Sequence, residues 1–135
     1  MEYSTKKEID TTQLNKLWNA IGWSSRDLNK WKNALLKSTF VISVWDAEKL
    51  IGLGRILEDG IMCMFYDIAV HPDYQRRGIG TSIMNKLIDK VKDKRYVSIG
   101  LFTWEGNPAN NQFYKKFGFE KVGTGMELVK CMQRE

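Results

Sequence analysis

The run Gln75-Arg76-Arg77-Gly78-Ile79-Gly80-Thr81 sets two guanidinium side chains and two glycines where a strand pattern turns into a helix pattern. From Ile79 onward, Ile83, Met84, Leu87, Ile88 and Val91 recur at helical spacing, while Asn85, Lys86, Asp89, Lys90 and Lys92 fill the other face. The first N–H groups of such a helix have no intrahelical acceptor, and the aligned peptide dipoles put partial positive charge at that end. Glycine at 78 and 80 lets the main chain approach a bulky anion with no Cβ in the way, and Arg76 and Arg77 add cationic donors. The chemistry assembled is phosphate binding, and a pyrophosphate is its natural guest.

The preceding elements agree with this. Residues 62–70 read as a buried strand ended by His71-Pro72, because Pro72 cannot donate to a ladder and pushes His71 out of helical geometry. Strand, short basic loop and glycine-started helix therefore come in the order a phosphate cradle needs. Upstream, residues 3–9 suggest an edge strand. Asp10 or Thr11 caps a helix whose stripe is Leu14, Leu17, Trp18 and Ile21, ended by Gly22. Ser24 to Asp27 reads as a capping box that opens a second helix carrying Leu28, Trp31, Leu35 and Leu36 inward. Residues 40–45, 50–57 and 61–70 form an antiparallel meander with a turn at Glu58-Asp59-Gly60.

After the helix of residues 79–92, a strand pattern over 96–102 implies a crossover between parallel strands. Asn107 and Pro108 suit the cap and first position of a last helix, stopped by Gly118. Residues 119–122 and 126–132, around a turn at Gly123-Thr124-Gly125, complete the expectation as a terminal pair of strands.

The bulk numbers set limits. At 135 residues, 43% hydrophobic and 27% charged, the chain reads as one soluble domain over residues 1–135. No apolar run is long enough to cross a bilayer and no signal-peptide pattern opens the chain, which gives the expectation of a cytoplasmic protein without membrane partners. The formal charge is +5, but basic residues are interleaved with acids throughout, which argues against nucleic acid and for a modest field that draws in an anionic small molecule. Cys63 and Cys131 sit in apolar runs with one histidine in the whole chain, so buried reduced thiols are expected and a metal site is not.

Residues Ile68-Ala69-Val70-His71-Pro72, the turn Gln75-Arg76-Arg77-Gly78-Ile79-Gly80, and Asn107 with Phe113-Tyr114-Lys115-Lys116-Phe117-Gly118-Phe119 together resemble the GNAT superfamily of acetyl-CoA-dependent N-acetyltransferases. Order and spacing agree over nearly the whole chain. The resemblance implies an α/β (α+β) fold with a mixed, mostly antiparallel sheet of about six or seven strands flanked by about four helices. It implies acetyl-CoA as acetyl donor, no metal, and an amine acceptor. Late strands of such folds often mediate dimers, which leaves a homodimer open.

Residue by residue, the resemblance implies that amides from Gln75 through Arg76, Arg77, Gly78, Ile79, Gly80 and Thr81 bind the pyrophosphate. Ile68, Ala69 and Val70, the bulged end of the strand, would pair with the pantetheine arm, with the Ile68 amide holding the thioester oxyanion. Asn107 would contact the arm, and Tyr114 would protonate the departing thiolate. A phenol of pKa about 10 is close enough to a thiol of about 8.5 for that transfer. Asp67 is the leading carboxylate to take the amine's proton, with Glu58 and Glu105 behind it; a substrate-positioning or ion-paired role competes equally, and many family members use water chains. His71, before Pro72, reads as structural. Asn110 stands where the family often has alanine, which departs from the pattern around Asn107.

The acceptor side is expected from the early helices and their loop. Trp18, Trp23 and Trp31, with Trp104 opposite, resemble the aralkylamine-type branch and suggest an aromatic-lined pocket for a small amine. A protein lysine or N-terminal amine, or a non-catalytic acyl-CoA-binding module, are the competing functions.

Overall fold

The computed structural model describes residues 1–23, 27–104 and 106–132. Its centre is a five-stranded sheet in the order β1 (Glu2–Ser4), β2 (Phe40–Asp46), β3 (Lys49–Glu58), β4 (Met62–Val70) and β5 (Ser98–Leu101). The first three pairings are antiparallel and β4–β5 is parallel. Four helices flank it: α1 (Thr11–Ala20), α2 (Leu28–Lys37), α3 (Ile79–Val91) and α4 (Pro108–Lys115). The class is therefore the expected one, a mixed and mostly antiparallel α/β sheet with four helices.

The alternation of side chains along the strands builds two apolar layers. On one face Ile42, Val44, Ile56, Cys63 and Phe65 meet Ile79, Ile83, Met84, Leu87 and Val91 of α3, with Phe113 and Tyr114 of α4 and Phe117 just past its end packed against them. On the other face Val41, Leu50, Leu53 and Ala69 meet Leu14, Leu17 and Trp18 of α1 and Trp31 and Leu35 of α2. Helices α1 and α3 present the stripes their periodicity dictates; on α2 Trp31 and Leu35 turn inward, whereas Leu36, expected inward, is exposed at 41%. Asp10 caps α1 through the Thr12 amide at 2.8 Å. Helix α2 is capped by Asp27, which accepts from Asn29 and Lys30, rather than from Ser24, which lies outside the described residues.

Three expectations are corrected. The terminal pair of strands is not formed among the described residues: past α4 only a turn at Val129–Cys131 is regular, and Val122, Met126 and Leu128 stand exposed. The sheet has five strands, not six or seven, for a physical reason. A two-stranded ribbon is marginal unless it docks an apolar face, and Val122, Met126 and Leu128 stand free of the core at 84%, 91% and 64% exposure. For the same reason Cys131 is exposed rather than buried. Cys63 is buried as expected, and burial pushes its thiol up to about 11.

Candidate active site

The loop after β4 begins with a turn at Pro72–Tyr74 that His71 caps, its Nδ1 accepting from the Asp73 amide at 3.1 Å. His71 therefore has the structural role its place before Pro72 implied. Gln75 ties the loop to the strand, its Nε2 donating to the Val70 carbonyl at 3.0 Å. Arg76 and Gly78 then take left-handed conformations, with φ of 63° and 78°. Such alternation turns successive amides toward one side, the geometry of an anion nest.

Helix α3 starts at Ile79 with Gly78 at the cap position and no side chain occupying its end. The first intrahelical acceptor is used by Ser82, which donates to the Gly78 carbonyl at 3.0 Å, so the amides of Ile79, Gly80 and Thr81 precede the ladder. Arg77 lies over the Tyr74 ring at 5.2 Å from its centroid, and both arginines are exposed. A Cβ on Gly80 would sit 3.4 Å from Phe113 of α4 and 3.7 Å from Val70, ordinary contact distances that place the start of α3 beside both β4 and α4. The residues present fit a pyrophosphate.

Strand β4 supplies the second part. Its pairing with β5 runs from Met62↔Ser98 to Phe65↔Leu101 and stops there. Over residues 66–70 the β5-side edge of β4 has no strand partner among the described residues. In the same stretch the ladder with β3 slips: Leu53 faces Ala69 and Arg55 faces Tyr66, so Asp67 and Ile68 together oppose Gly54. This is a β-bulge, which bends its strand and leaves the extra residue out of the ladder. Asp67 is the residue in the left-handed region, φ 56°. That conformation costs an ordinary residue roughly 1–2 kcal/mol, and Asp tolerates it better than most.

Two neighbours make room for the bulge and hold it. A Cβ on Gly54 would lie 2.9 Å from the Ile68 Cδ1 and 2.8 Å from the Ile83 Cγ2, so only glycine leaves space for the bulged Ile68 beside α3. On the opposite face Arg55 Nε donates to Asp67 Oδ2 at 2.6 Å, with both side chains mostly buried at 13% and 16% exposure. The guanidinium also donates to Ser38 Oγ at 3.3 Å and lies against the rings of Tyr66 and Trp31 at 5.3 and 5.7 Å. Gly54 and Arg55 were not singled out in the sequence. The signal for them was glycine at 52 and 54 inside a strand pattern, which marks a bulge or a close backbone approach.

Helix α4 supplies the third part. Asn107 caps it, its Oδ1 accepting from the Asn110 amide at 3.3 Å, and Pro108 fills the first turn. Tyr114 is half-buried with its ring against Phe113 and Phe119 at 5.2 and 6.2 Å, and burial raises its phenol above the ordinary value. It packs on the α3 face of the sheet, whereas the Asp67 carboxylate meets Arg55 on the α2 side.

The remaining candidates lie apart. Glu58 is at the hairpin end of β3, opposite Cys63, with its carboxylate bound to the Gly60 amide at 2.8 Å. Four residues of strand separate Cys63 from Asp67, roughly 13 Å. Glu105 lies outside the described residues. Trp18 is fully buried, stacked on Trp23 and Trp31 at 4.6 and 5.1 Å, so it is core rather than pocket wall. Trp104 is 80% exposed.

A helix-end cradle for pyrophosphate beside an opened parallel seam is the architecture of an acyl-coenzyme A-binding transferase. Residues 8–119 match the family model described as Acetyltransferase (GNAT) family, and the chain belongs to that family. It is 33% identical over 129 residues to the uncharacterized N-acetyltransferase ycf52 of Pyropia yezoensis, covering 92% of this chain and 72% of that one. It is 28% identical to the protein named histone acetyltransferase TAP1 of Glycine max, covering 93% of this chain and 58% of that one. Among solved structures, a GNAT-family acetyltransferase of Streptococcus pneumoniae superposes with a TM-score of 0.80 at 28% identity, covering 99% of this chain and 98% of that one. The protein is thus an acyl-CoA-dependent acetyltransferase, with acetyl-CoA as the donor the family implies. Among the described residues no group of three or more His, Cys, Asp or Glu side chains is placed to hold a metal ion, and no helix is long and apolar enough to cross a membrane.

Proposed function

We propose that the protein moves the acetyl group of acetyl-CoA to the primary amine of a small molecule by direct attack in a ternary complex. The observation that carries this reading is the seam between β4 and β5, which ends at Phe65 and leaves that edge of residues 66–70 without a strand partner among the described residues, with the uncapped start of α3 following in the chain and Tyr114 packed on the α3 face of the sheet. Amides from Gln75 to Thr81 would hold the pyrophosphate, and Ile68, Ala69 and Val70 would pair with the pantetheine arm. The Oδ1 of Asn107 caps α4, which leaves its Nδ2 to donate to the arm.

In the chemical step the amine nitrogen bonds to the thioester carbon, and the Ile68 amide, turned out of the ladder by the bulge, holds the developing oxyanion. As the carbon–sulfur bond breaks, the Tyr114 hydroxyl gives its proton to the sulfur. Burial helps here, because it keeps the phenol protonated until charge appears on the sulfur. The amine must shed a proton in turn. With Asp67 Oδ2 engaged by Arg55 at 2.6 Å, we assign that proton to water rather than to Asp67 as a direct base.

A small acceptor is favoured by the packing on the α2 side. Trp31 closes over Arg55, and α1 and α2 are drawn onto the sheet by the Trp18–Trp31 contact, which suits a compact amine better than an extended peptide. The soybean relative's name favours a second reading, a protein amine as acceptor. Thiol release from acetyl-CoA, measured against arylalkylamines, polyamines, amino sugars and lysine peptides, tests both. We expect release with a small amine. Release with peptides alone would establish the second reading, and no release with any class, despite coenzyme binding, would refute transfer.

A further inference from the structure

Resting on the reading of Ile68 as the oxyanion-binding amide, we propose that Arg55 is a positioning residue for acetyl transfer. By gripping the Asp67 carboxylate it holds the bulge of β4 in the conformation that turns the Ile68 amide toward the thioester.

The argument begins with the cost of the bulge. Asp67 takes φ 56° with a side chain, in a region that glycine occupies freely. A strained backbone persists only where its surroundings over-determine it. Arg55 supplies that restraint directly across the strand pair, with Nε 2.6 Å from Asp67 Oδ2. Arg55 is itself fixed from two elements. Its other arm donates to Ser38 Oγ at 3.3 Å, and Ser38 in turn donates to the Ala34 carbonyl of α2 at 2.7 Å. Tyr66 of β4 and Trp31 of α2 hold the flat guanidinium between them.

The lock therefore joins the end of α2, the middle of β3 and the bulge of β4. It lies on the face opposite Tyr114 and apart from the pyrophosphate cradle. It should act on the chemical step and leave donor binding alone.

Four variants separate this role from a base role for Asp67: Arg55→Met, Asp67→Asn, Asp67→Gly and the double variant Arg55→Met/Asp67→Gly. Arg55→Met frees the strained residue, and kcat should fall about 30-fold while the acetyl-CoA dissociation constant stays within about threefold. Asp67→Asn still accepts from Arg55 and tolerates the left-handed region, so it should keep kcat within about fivefold of the parent; Asp67→Gly adopts the region without strain but leaves Arg55 buried without its carboxylate, so it serves as the background for the double variant. In the glycine background the loss of Arg55 should cost nothing more, and removing both charges leaves neither one buried alone.

A second readout uses no turnover: the Ile68 amide resonance of the coenzyme-free protein should move when Arg55 is replaced by Met beside Asp67 and move far less for the same replacement in the Asp67→Gly background, where the preceding residue is held constant. This covers the case in which Arg55→Met folds poorly, since the double variant and Asp67→Asn still report. Collapse of activity in Asp67→Asn or in the double variant would make Asp67 a reacting group and overturn the proposal. A loss of coenzyme affinity in Arg55→Met as large as its loss of kcat, or an unmoved Ile68 resonance, would overturn it as well. Failure of the wild-type protein to acetylate any amine counts against transfer itself, and the resonance test distinguishes that outcome from failure of the lock.

Discussion

The two halves of β4 are built from similar residues and do different work. Over residues 62–65 the strand is held on both edges, by β3 and by β5, and its inward side chains Cys63 and Phe65 are buried against α3 and α4. Over residues 66–70 it keeps β3, loses β5 and carries a bulge. A closed ladder spends its amides and carbonyls on neighbouring strands and gives stability. An opened one keeps them for a ligand, at the cost of strain that other residues must restrain. Acetyl-CoA binding is assigned to the second half for this reason, and the first half anchors it.

The largest expected effect breaks the anchoring half. Phe65→Ala removes a ring that is 2% exposed and packs edge-on to Phe119 at 5.7 Å. It should lower unfolding stability by about 3–4 kcal/mol in denaturant titration, while the folded fraction binds acetyl-CoA as before. Weakened coenzyme binding by the folded protein would mean that the halves are not separable.

Next comes the cradle that the open half feeds. Gly78→Val puts a branched side chain at φ 78° and into the anion nest. Acetyl-CoA affinity by calorimetry should fall about 100-fold, and an unchanged affinity would remove the pyrophosphate from this loop.

The smallest effect sharpens the division between binding and chemistry. Tyr114→Phe should lower kcat about 30-fold, with acetyl-CoA affinity unchanged. The pH profile adds a sign. Because burial raises the Tyr114 phenol, the proton donor is intact below the ordinary phenol value and is lost only as pH climbs through the raised one. Wild-type kcat should therefore keep rising with amine deprotonation through pH 9 and turn down only above about 10, and the downturn should vanish in Tyr114→Phe. A downturn that persists in the variant would assign it to another group.

Much of this was legible in the chain because the signals are local. The stripe Ile79, Ile83, Leu87 and Val91 fixes α3, Asp10 and Asn107 cap the helices they precede, and Gly78 marks the left-handed turn into the cradle. The resemblance implies a bulged strand end at Ile68 to Val70 but not the residue that carries the bulge, because the stretch Phe65 to Val70 looks like one continuous strand until its register with Gly54 is known. The terminal strands were over-read from composition alone. Trp18 was placed beside the acceptor on its residue type, whereas its position on the α1 stripe buries it completely.

The sequence by itself determined the backbone form to which donor binding is assigned: a turn with left-handed residues and a helix end are made of consecutive backbone groups, so glycine, arginine and proline in order are enough to specify them. Only the tertiary structure decided where the seam opens, which residue carries the bulge, and that Arg55 meets Asp67. Those depend on strand register and on side chains twelve or more positions apart, and no short run of residues encodes a register.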